Sequence, residues 1–282
     1  MLLSDIVKHA AKQFEKVGID SAVADAELLA GHVLGLSRGG VQAACISGAE
    51  ISAAEADSIV ISYGRRLARE PLQHITGVAY FRNLELQVGS GVFIPRPETE
   101  FVAQLAINEL QKLAIPVAVD LGTGSGAIAL AMATEVPGCT VFAVEKSAEA
   151  LIYSQKNFEK YAGSNAHLSA GDLAECFAEL NGEVSLVVSN PPYIPEQAIP
   201  RDPEVRLFDP ALALYGGTDG MDVMHKVSAT AKRLLVPGGR LVVEHADSQG
   251  AQVRQLLLAD GFSQVQSHQD LTGRDRAVTA TK

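Results

Sequence analysis

The sequence is poor in several features that point to particular classes of protein. Its 282 residues include no tryptophan and only three cysteines. Cys45, Cys139 and Cys176 are odd in number and lack metal-ligand spacing, so we expect reduced thiols and no metal site. No apolar run approaches the length of a membrane span, and Asp5 and Lys8 interrupt the apolar N-terminal stretch, which argues against a signal peptide. These absences favour a cytoplasmic protein with no membrane contact.

Positive charge is also scarce. The formal net charge is −10, and the densest basic stretch, Arg65, Arg66 and Arg69, has no aromatic residues interleaved. A protein that binds nucleic acid non-specifically needs a concentrated positive surface to displace counterions. We therefore expect no direct nucleic-acid partner, although total charge does not exclude a local basic groove.

The hydrophobic spacing changes along the chain and predicts three parts. Residues 1–72 carry apolar side chains at helical spacing, which indicates a small helical domain. Residues 73–95 contain a segment, 84–88, that alternates in polarity, which is typical of a β-hairpin linker. Residues 96–282 then alternate between strand-like and helix-like segments and form the larger domain.

Local signals predict how some of these elements begin and pair. Ser4 is expected to cap the first helix, and Ser52 with Glu55 three residues later forms a capping box. The hairpin is expected to pair residues 84–88 with residues 92–94 across a glycine-containing turn.

The larger domain contains seven predicted strands and four predicted helices after its first helix. The strands are 117–120, 140–144, 167–170, 184–189, 240–244, 262–267 and 277–280. The helices lie near 126–134, 148–161, 219–235 and 248–259. Strands that alternate with helices indicate an α/β fold with a mostly parallel sheet covered on both faces. The last two strands are joined by a loop, so we expect them to form an antiparallel edge.

A glycine-rich loop follows the first predicted strand. Gly122, Gly124 and Gly126 let the backbone turn tightly and approach a ligand closely. Glu145, at the end of the next strand, can accept hydrogen bonds from both ribose hydroxyls of an adenosyl group. These residues predict an adenosine-bearing cofactor. Gly122 and Gly124 with Ala127 equally fit the dinucleotide fingerprint, so the loop alone leaves a nicotinamide cofactor open.

The segment Asn190-Pro191-Pro192-Tyr193 follows the fourth strand and decides the chemistry. In a doubly wound sheet the strand order reverses between the first and fourth strands, so this segment and the glycine loop should flank one crevice. The Asn190 side-chain oxygen and the Pro191 carbonyl can accept both N–H groups of a planar amide, whose nitrogen lone pair is delocalised. The prolines stiffen the turn, and Tyr193 offers a flat aromatic face. We therefore expect methyl transfer from a sulfonium to an amide-type nitrogen, accelerated mainly by positioning.

Motifs spread along nearly the whole chain carry a family resemblance. They are Pro71-Leu72-Gln73 with Thr76-Gly77, Phe93–Glu100 (Phe-Ile-Pro-Arg-Pro-Glu-Thr-Glu), Asp120–Leu130, Ser189–Ile194, Pro210–Leu214 with Gly217 and Asp219-Gly220, and Gly273 with Asp275-Arg276. With these motifs the chain resembles the bacterial peptide chain release factor N5-glutamine methyltransferases. The resemblance implies a class I, Rossmann-like methyltransferase domain behind a helical domain that helps to recognise a protein substrate. It also implies that the protein uses S-adenosyl-L-methionine, releases S-adenosyl-L-homocysteine, and acts on the Gly-Gly-Gln glutamine of class I release factors. We expect the protein to be a monomer.

The resemblance further implies roles for individual residues. Those implied to bind the cofactor are Gly122, Thr123, Gly124, Ser125, Gly126, Glu145, Asp172, Leu173 and Asn190. Those implied to bind the glutamine are Asn190, Pro191, Pro192 and Tyr193, of which Asn190, Pro191 and Tyr193 form the catalytic set. Three positions depart from the family pattern. Glu145 stands where aspartate is more usual, Leu173 where some relatives carry an aromatic residue, and Glu244-His245-Ala246 where the fifth strand commonly ends differently.

Some functions and roles stay open at the level of sequence. A nucleic-acid N6-adenine or guanine methyltransferase can use the same tetrapeptide on a flipped base. The glycine loop is also compatible with an NAD-dependent oxidoreductase, and a non-catalytic module would bind the methyl donor without transferring its methyl group. Arg96, Glu98 and Glu100 fit either a cofactor-site closure or a solvated helix start, whereas His245 is interpreted as structural. The segment 194–218 is too long for a simple connection, and we expect it to cover the bound glutamine.

Overall fold

The computed structural model describes all 282 residues and divides them into two compact units. One unit comprises residues 1–78 together with residues 200–208, and the other comprises residues 79–199 and 209–282. A short piece of the predicted covering segment thus folds with the helices of the first unit. No helix in the structure is both long enough and apolar enough to cross a membrane.

The first unit is built from helices around one apolar core. Its helices are Leu3–Lys16, Ala22–Leu34, Arg38–Ile46, Ala53–Leu67, Leu72–Thr76 and Pro203–Phe208. Phe14, Leu29 and Ile59 lie at the centre of the core and are fully buried. Glu204, on the last helix, accepts hydrogen bonds from Arg66 and Arg69 at 2.8 and 2.5 Å. Burial alone raises the pKa of Glu204, but its hydrogen bonds with Asp202 and both arginines outweigh that effect and lower it.

The local predictions for this unit have different outcomes. The Ser4 cap is wrong: the helix begins at Leu3, its N-cap is Leu2, and no side chain caps it. Ser4 lies in the first turn instead. The capping box is confirmed, because Ser52 Oγ accepts from the Glu55 N–H at 3.2 Å and the Glu55 carboxylate accepts from the Ser52 N–H at 2.8 Å.

The hairpin exists, but its predicted pairing is wrong. Its strands are β1 (Val78–Phe81) and β2 (Leu84–Gln87), which form a separate two-stranded sheet. Residues 92–94 are not a strand. Val92 and Ile94 are buried because they pack in a small apolar cluster that includes Val88 and Ala150. Their apolar pattern therefore reflects burial in a loop and carries no information about strand pairing.

The second unit contains the predicted seven-stranded sheet. Its strands are β3 (Val117–Leu121), β4 (Thr140–Glu145), β5 (Ala166–Ala170), β6 (Val184–Ser189), β7 (Leu235–Glu244), β8 (Ser263–Gln269) and β9 (Asp275–Thr281). Their order is β5-β4-β3-β6-β7-β9-β8. The first five are parallel, and β9 is antiparallel to both β7 and β8, so the mostly parallel sheet with an antiparallel edge is confirmed.

Helices cover both faces of this sheet, because successive side chains on a strand point to opposite faces. One apolar cluster joins Leu186 and Val188 to the helices Pro97–Leu110 and Ala127–Glu135. The other joins Val187 to side chains of the helices Asp222–Leu234 and Gly250–Ala259. The helix Ala148–Tyr161 lies between β4 and β5 in the chain. The helix predicted to run from 219 to 235 is shorter, because Leu235 already pairs with Val184 as the start of β7.

Candidate active site

The glycine loop and the Asn-Pro-Pro-Tyr segment begin side by side. Their strands, β3 and β6, are parallel neighbours, with Asp120 opposite Val188. One residue further along, Ser189 Oγ donates a hydrogen bond to the Leu121 carbonyl at 2.7 Å. Strands β3 and β6 both end at this contact. The carboxyl ends of these strands are therefore adjacent at the reversal of strand order, which is where the sequence predicts a crevice.

The glycine loop is held firmly and still leaves space above it. The N–H groups of Gly122 and Thr123 both donate to the Val144 carbonyl at 3.0 Å, which folds the loop over the end of β4. Gly122 and Gly124 have φ angles of +75° and +59°, a region that glycine adopts readily. A Cβ at either position meets no atom within 4 Å. The loop thus has the backbone shape and the free space that a closely bound ligand needs.

Glu145 closes one side of the loop with its carboxylate. Its Oε2 atom accepts from the Gly124 N–H at 2.8 Å, and its Oε1 atom accepts from the Ser147 N–H at 2.7 Å. An ionised carboxylate has about four lone-pair positions, so two contacts leave capacity for both ribose hydroxyls. The extra methylene of glutamate is therefore compatible with a ribose contact.

Asp120 adds a buried carboxylate beneath the same loop. Its Oδ2 atom accepts from Thr123 Oγ1 at 2.7 Å and from the Ala129 N–H at 3.1 Å, whereas its Oδ1 atom has no partner. Burial raises the pKa of Asp120 to about 7 against the lowering effect of these hydrogen bonds. An unpartnered buried oxygen beside open glycine positions fits a site for a polar or cationic ligand.

Asp172 and Leu173 follow β5, the next strand along the sheet. Asp172 Oδ1 accepts from the Ala174 N–H at 3.0 Å, and Oδ2 pairs with Lys146 Nζ at 2.9 Å. The Ala174 hydrogen bond, followed by that from Lys146, lowers the pKa of Asp172. Leu173 is partly buried against the apolar cluster on its side of the sheet. The pair therefore presents one ionised and one apolar surface.

Asn157 supports the glycine loop and was not identified from sequence. It is fully buried on the helix Ala148–Tyr161, and its Nδ2 atom donates to the Ser125 carbonyl at 2.9 Å and to the Gln87 carbonyl at 3.0 Å. Its Oδ1 atom accepts from the Gln87 N–H at 2.7 Å. An asparagine in the middle of an otherwise ordinary helical pattern is the only sequence signal for this contact.

Asn190 is the first residue of a buried polar chain. Its Nδ2 atom donates to Thr99 Oγ1 at 3.2 Å, and Thr99 Oγ1 lies 2.8 Å from Glu244 Oε2. The Tyr193 hydroxyl approaches the other carboxylate oxygen, Oε1, at 3.4 Å. Thr99 and Glu244 are 3% and 2% exposed, respectively. Burial raises the pKa of Glu244 to about 7, and burial followed by the Glu244 charge raises the pKa of Tyr193.

The backbone of the Asn-Pro-Pro-Tyr segment is held by close packing. The Tyr193 carbonyl accepts from Gln249 Nε2 at 3.0 Å. A Cβ at Gly216 comes within 2.4 Å of the Pro192 carbonyl oxygen, and one at Gly220 within 2.2 Å of the Tyr193 carbonyl oxygen. Only glycine fits at these two positions, so the end of the 194–218 segment and the residues after it fix the turn.

Three of the residues with open roles, Arg96, Glu100 and His245, make structural contacts. Arg96 pairs with Asp209 at 2.5 Å and lies over the Phe93 ring at 4.8 Å. The Glu100 carboxylate accepts from the Arg82 N–H at 2.9 Å. His245 is buried with its Nδ1 atom 2.7 Å from the Ala246 carbonyl, and burial lowers its pKa. No group of three or more His, Cys, Asp or Glu side chains could hold a metal ion.

Comparison with known proteins identifies the family. Residues 5–77 match the model of the PrmC N-terminal domain, and residues 83–214 match that of the methyltransferase small domain. The chain is 46% identical to the release factor glutamine methyltransferase of Streptomyces coelicolor over 100% of this chain and 98% of the relative. The chain belongs to the release factor glutamine methyltransferase family. A second member, from Bifidobacterium longum, is 42% identical over 99% of each chain.

Solved structures agree on the fold. A methyltransferase from Pyrococcus furiosus superposes with a TM-score of 0.52 at 20% identity, covering 79% of this chain and 95% of that chain. The class I methyltransferase fold predicted from the sequence is therefore confirmed. Family membership does not favour a nucleic-acid methyltransferase or a nicotinamide-dependent enzyme.

Proposed function

We propose that this protein transfers a methyl group from S-adenosyl-L-methionine to the side-chain amide nitrogen, N5, of the glutamine in the Gly-Gly-Gln motif of class I peptide chain release factors. The observation that carries the proposal is the position of Asn190. Asn190 directly follows Ser189, whose hydrogen bond to the Leu121 carbonyl holds this part of the chain beside the start of the glycine loop. The family's named activity supports the choice of substrate.

The residues on the cofactor side bind and orient the donor. The open space above Gly122 and Gly124 lets the ligand lie against the backbone of the loop. The remaining lone pairs of Glu145 accept hydrogen bonds from the ribose hydroxyls. Asp172 and Leu173 border the adenine. When bound, S-adenosyl-L-methionine supplies an electrophilic methyl group on a positively charged sulfur.

The residues on the acceptor side orient the glutamine. Asn190 Nδ2 is already engaged with Thr99, so Asn190 Oδ1 is the atom that accepts a substrate N–H. The Pro191 carbonyl accepts the second N–H, and Tyr193 provides a flat surface for the carboxamide. With both hydrogens held, the nitrogen lone pair is aimed at the methyl carbon. Positioning of this kind can supply much of the acceleration.

The proton balance requires no dedicated base. Attack forms an N–CH3 bond as the S–CH3 bond breaks, and the nitrogen briefly carries an extra proton. A nitrogen-protonated amide is a strong acid, and it releases that proton to water. We further propose that the protein acts as a monomer in the cytoplasm, where it meets newly made release factors.

Mass spectrometry of a class I release factor incubated with the protein and S-adenosyl-L-methionine tests the proposal. We expect one added methyl group, located on the Gly-Gly-Gln glutamine. A release factor with alanine in place of that glutamine should stay unmodified, and the Asn190→Ala protein should leave the native factor nearly unmodified. Transfer of labelled methyl into RNA or DNA but not into the release factor would establish a nucleic-acid methyltransferase instead.

A further inference from the structure

Two buried side chains lie behind Asn190, on elements other than its own. Thr99 lies in the first turn of the helix Pro97–Leu110, and Glu244 is the last residue of β7. They are separated by 145 positions in sequence and joined by a 2.8 Å hydrogen bond. Thr99 also contacts Asn190, 91 positions away, at 3.2 Å. Three separate elements thus converge on one threonine hydroxyl.

The hydroxyl has only one proton, and this determines the direction of the chain. An amide nitrogen cannot accept a hydrogen bond, so Asn190 Nδ2 must donate to Thr99 Oγ1. Above pH 7, where Glu244 is ionised, Thr99 therefore directs its own proton to Glu244 Oε2, a buried carboxylate oxygen that needs a donor. While Glu244 is ionised, the reverse orientation, with Asn190 Oδ1 towards Thr99, leaves two acceptors competing for one proton.

This polarity has a consequence for the acceptor side of the site. With its nitrogen held by Thr99, the Asn190 carboxamide presents its oxygen in the opposite direction. A flipped carboxamide presents two N–H donors there. Two donors facing the N–H groups of a glutamine side chain cannot hydrogen-bond to it, and both groups lose a partner.

Glu244 also secures the other side chain of the segment. Its Oε1 atom faces the Tyr193 hydroxyl at 3.4 Å, while its Oε2 atom faces Thr99. The other charged groups near it are Arg276 on β9 and Glu98 on the same helix as Thr99. One carboxylate therefore holds both Asn190, through Thr99, and Tyr193, directly.

We propose that Thr99, anchored by Glu244, is a positioning residue that fixes the Asn190 carboxamide with its oxygen towards the substrate nitrogen. The inference rests on the proposed amide-methylating function for its kinetic consequences. Thr99 touches neither substrate nor cofactor in this role and acts only through Asn190.

A matched pair of substitutions isolates the hydroxyl. Thr99→Val keeps the shape and removes the hydroxyl, whereas Thr99→Ser keeps the hydroxyl and removes a methyl group. We expect Thr99→Val to lower kcat for release-factor methylation about tenfold, the size of one lost buried polar contact, with little change in cofactor affinity. Thr99→Ser should stay within about threefold of the unmodified protein, since its hydroxyl makes the same hydrogen bonds. A Thr99→Val protein with unchanged kcat overturns the proposal.

A double-mutant cycle separates positioning from general structural support. In an Asn190→Ala background Thr99 has no carboxamide to orient. Thr99→Val should therefore lower kcat by less than about twofold there, because coupled residues are not additive. A further tenfold loss in that background means that Thr99 acts independently of Asn190, which contradicts the proposal.

Nuclear magnetic resonance provides a test that needs no turnover. The side-chain amide signal of Asn190 is identified by its absence in Asn190→Ala. We expect its hydrogen exchange to accelerate at least about tenfold in Thr99→Val and to stay slow in Thr99→Ser, because only the valine removes the acceptor. Equal exchange rates of this signal in the unmodified protein, Thr99→Val and Thr99→Ser overturn the inference. If the unmodified protein fails to methylate release factor, the proposed function fails, and this exchange measurement still decides the role of Thr99.

Discussion

The two sides of the candidate site are built from different kinds of contact. On the cofactor side, defined as residues 120–126 with Glu145, carboxylates mostly accept from backbone N–H groups no more than 21 positions away. On the acceptor side, defined as Thr99, Asn190, Tyr193 and Glu244, side chains bond to other side chains 51 to 145 positions away. The cofactor side is therefore shaped by local backbone, whereas the acceptor side depends on the assembled fold. We therefore expect substitutions on the cofactor side to change mainly cofactor affinity, and substitutions on the acceptor side to change mainly turnover.

The largest effect should follow replacement of Asn190. Asn190→Ala removes the oxygen that we propose accepts the glutamine N–H, so kcat should fall by about a hundredfold or more, the usual loss for one preorganised polar contact. Calorimetric titration should show cofactor affinity within about threefold of the unmodified protein, since the glycine loop is intact. Near-normal turnover in this variant would contradict the claim that the acceptor side determines turnover.

Replacement of Glu145 should have the opposite profile. Glu145→Ala removes the acceptor for two backbone N–H groups and, in the proposed binding mode, for the ribose, which should weaken S-adenosyl-L-homocysteine binding about 10- to 100-fold. At saturating cofactor, kcat should remain close to that of the unmodified protein. Glu145→Asp is the matched control, and it should bind within about fivefold because the charge is retained. If Glu145→Ala lowers kcat and leaves affinity unchanged, the assigned roles are reversed.

Stability should depend on pH through the acceptor side. Burial raises the pKa of Glu244 from 4.5 to about 7, so the folded protein keeps a proton that the unfolded chain releases. This contribution is fully present below the unfolded pKa and is lost as the pH rises through 7. Between about pH 5 and 8 the free energy of unfolding should fall by about 2 kcal/mol from this group.

Glu244→Gln isolates that contribution. Urea unfolding of both proteins at the two pH values should show a decline that is smaller in the glutamine variant by about the same 2 kcal/mol. Asp120 titrates in both proteins and cancels in the comparison. Parallel declines in the two proteins show that Glu244 is not the titrating group.

The smallest effect should come from Leu173. An aromatic ring stacks on an adenine better than an aliphatic side chain does, by about 0.5–1 kcal/mol. Leu173→Phe should therefore tighten S-adenosyl-L-homocysteine binding about threefold and leave kcat unchanged. Unchanged affinity in that variant places the adenine elsewhere.

The same contrast explains how much of the protein is predictable from its sequence. The sheet, its antiparallel edge and the glycine loop are predictable because strand periodicity, glycine spacing and chain order are local properties. The link between Asn190 and Glu244 is not, because it requires the helix carrying Thr99 to pack beside two strand ends. The supporting role of Asn157 cannot be predicted for the same reason, since its partners Gln87 and Ser125 lie 70 and 32 positions away in sequence.

Two segments show what local sequence patterns do not predict. Val92 and Ile94 look like a strand because alternation reports burial, and a buried loop alternates too. Residues 200–208 lie among segments of the larger unit in sequence but fold with the first unit, where Glu204 meets Arg66 and Arg69. A single acidic residue in a proline-containing segment does not indicate which basic partners it will meet.

A crystal structure with S-adenosyl-L-homocysteine and a Gly-Gly-Gln peptide tests the central claim most directly. The account predicts that the glutamine side-chain nitrogen lies about 3 Å from Asn190 Oδ1 and faces the sulfur of the cofactor. The Asn190 nitrogen should remain bonded to Thr99. A glutamine bound away from Asn190, or one that meets the nitrogen of Asn190 rather than its oxygen, would contradict the account.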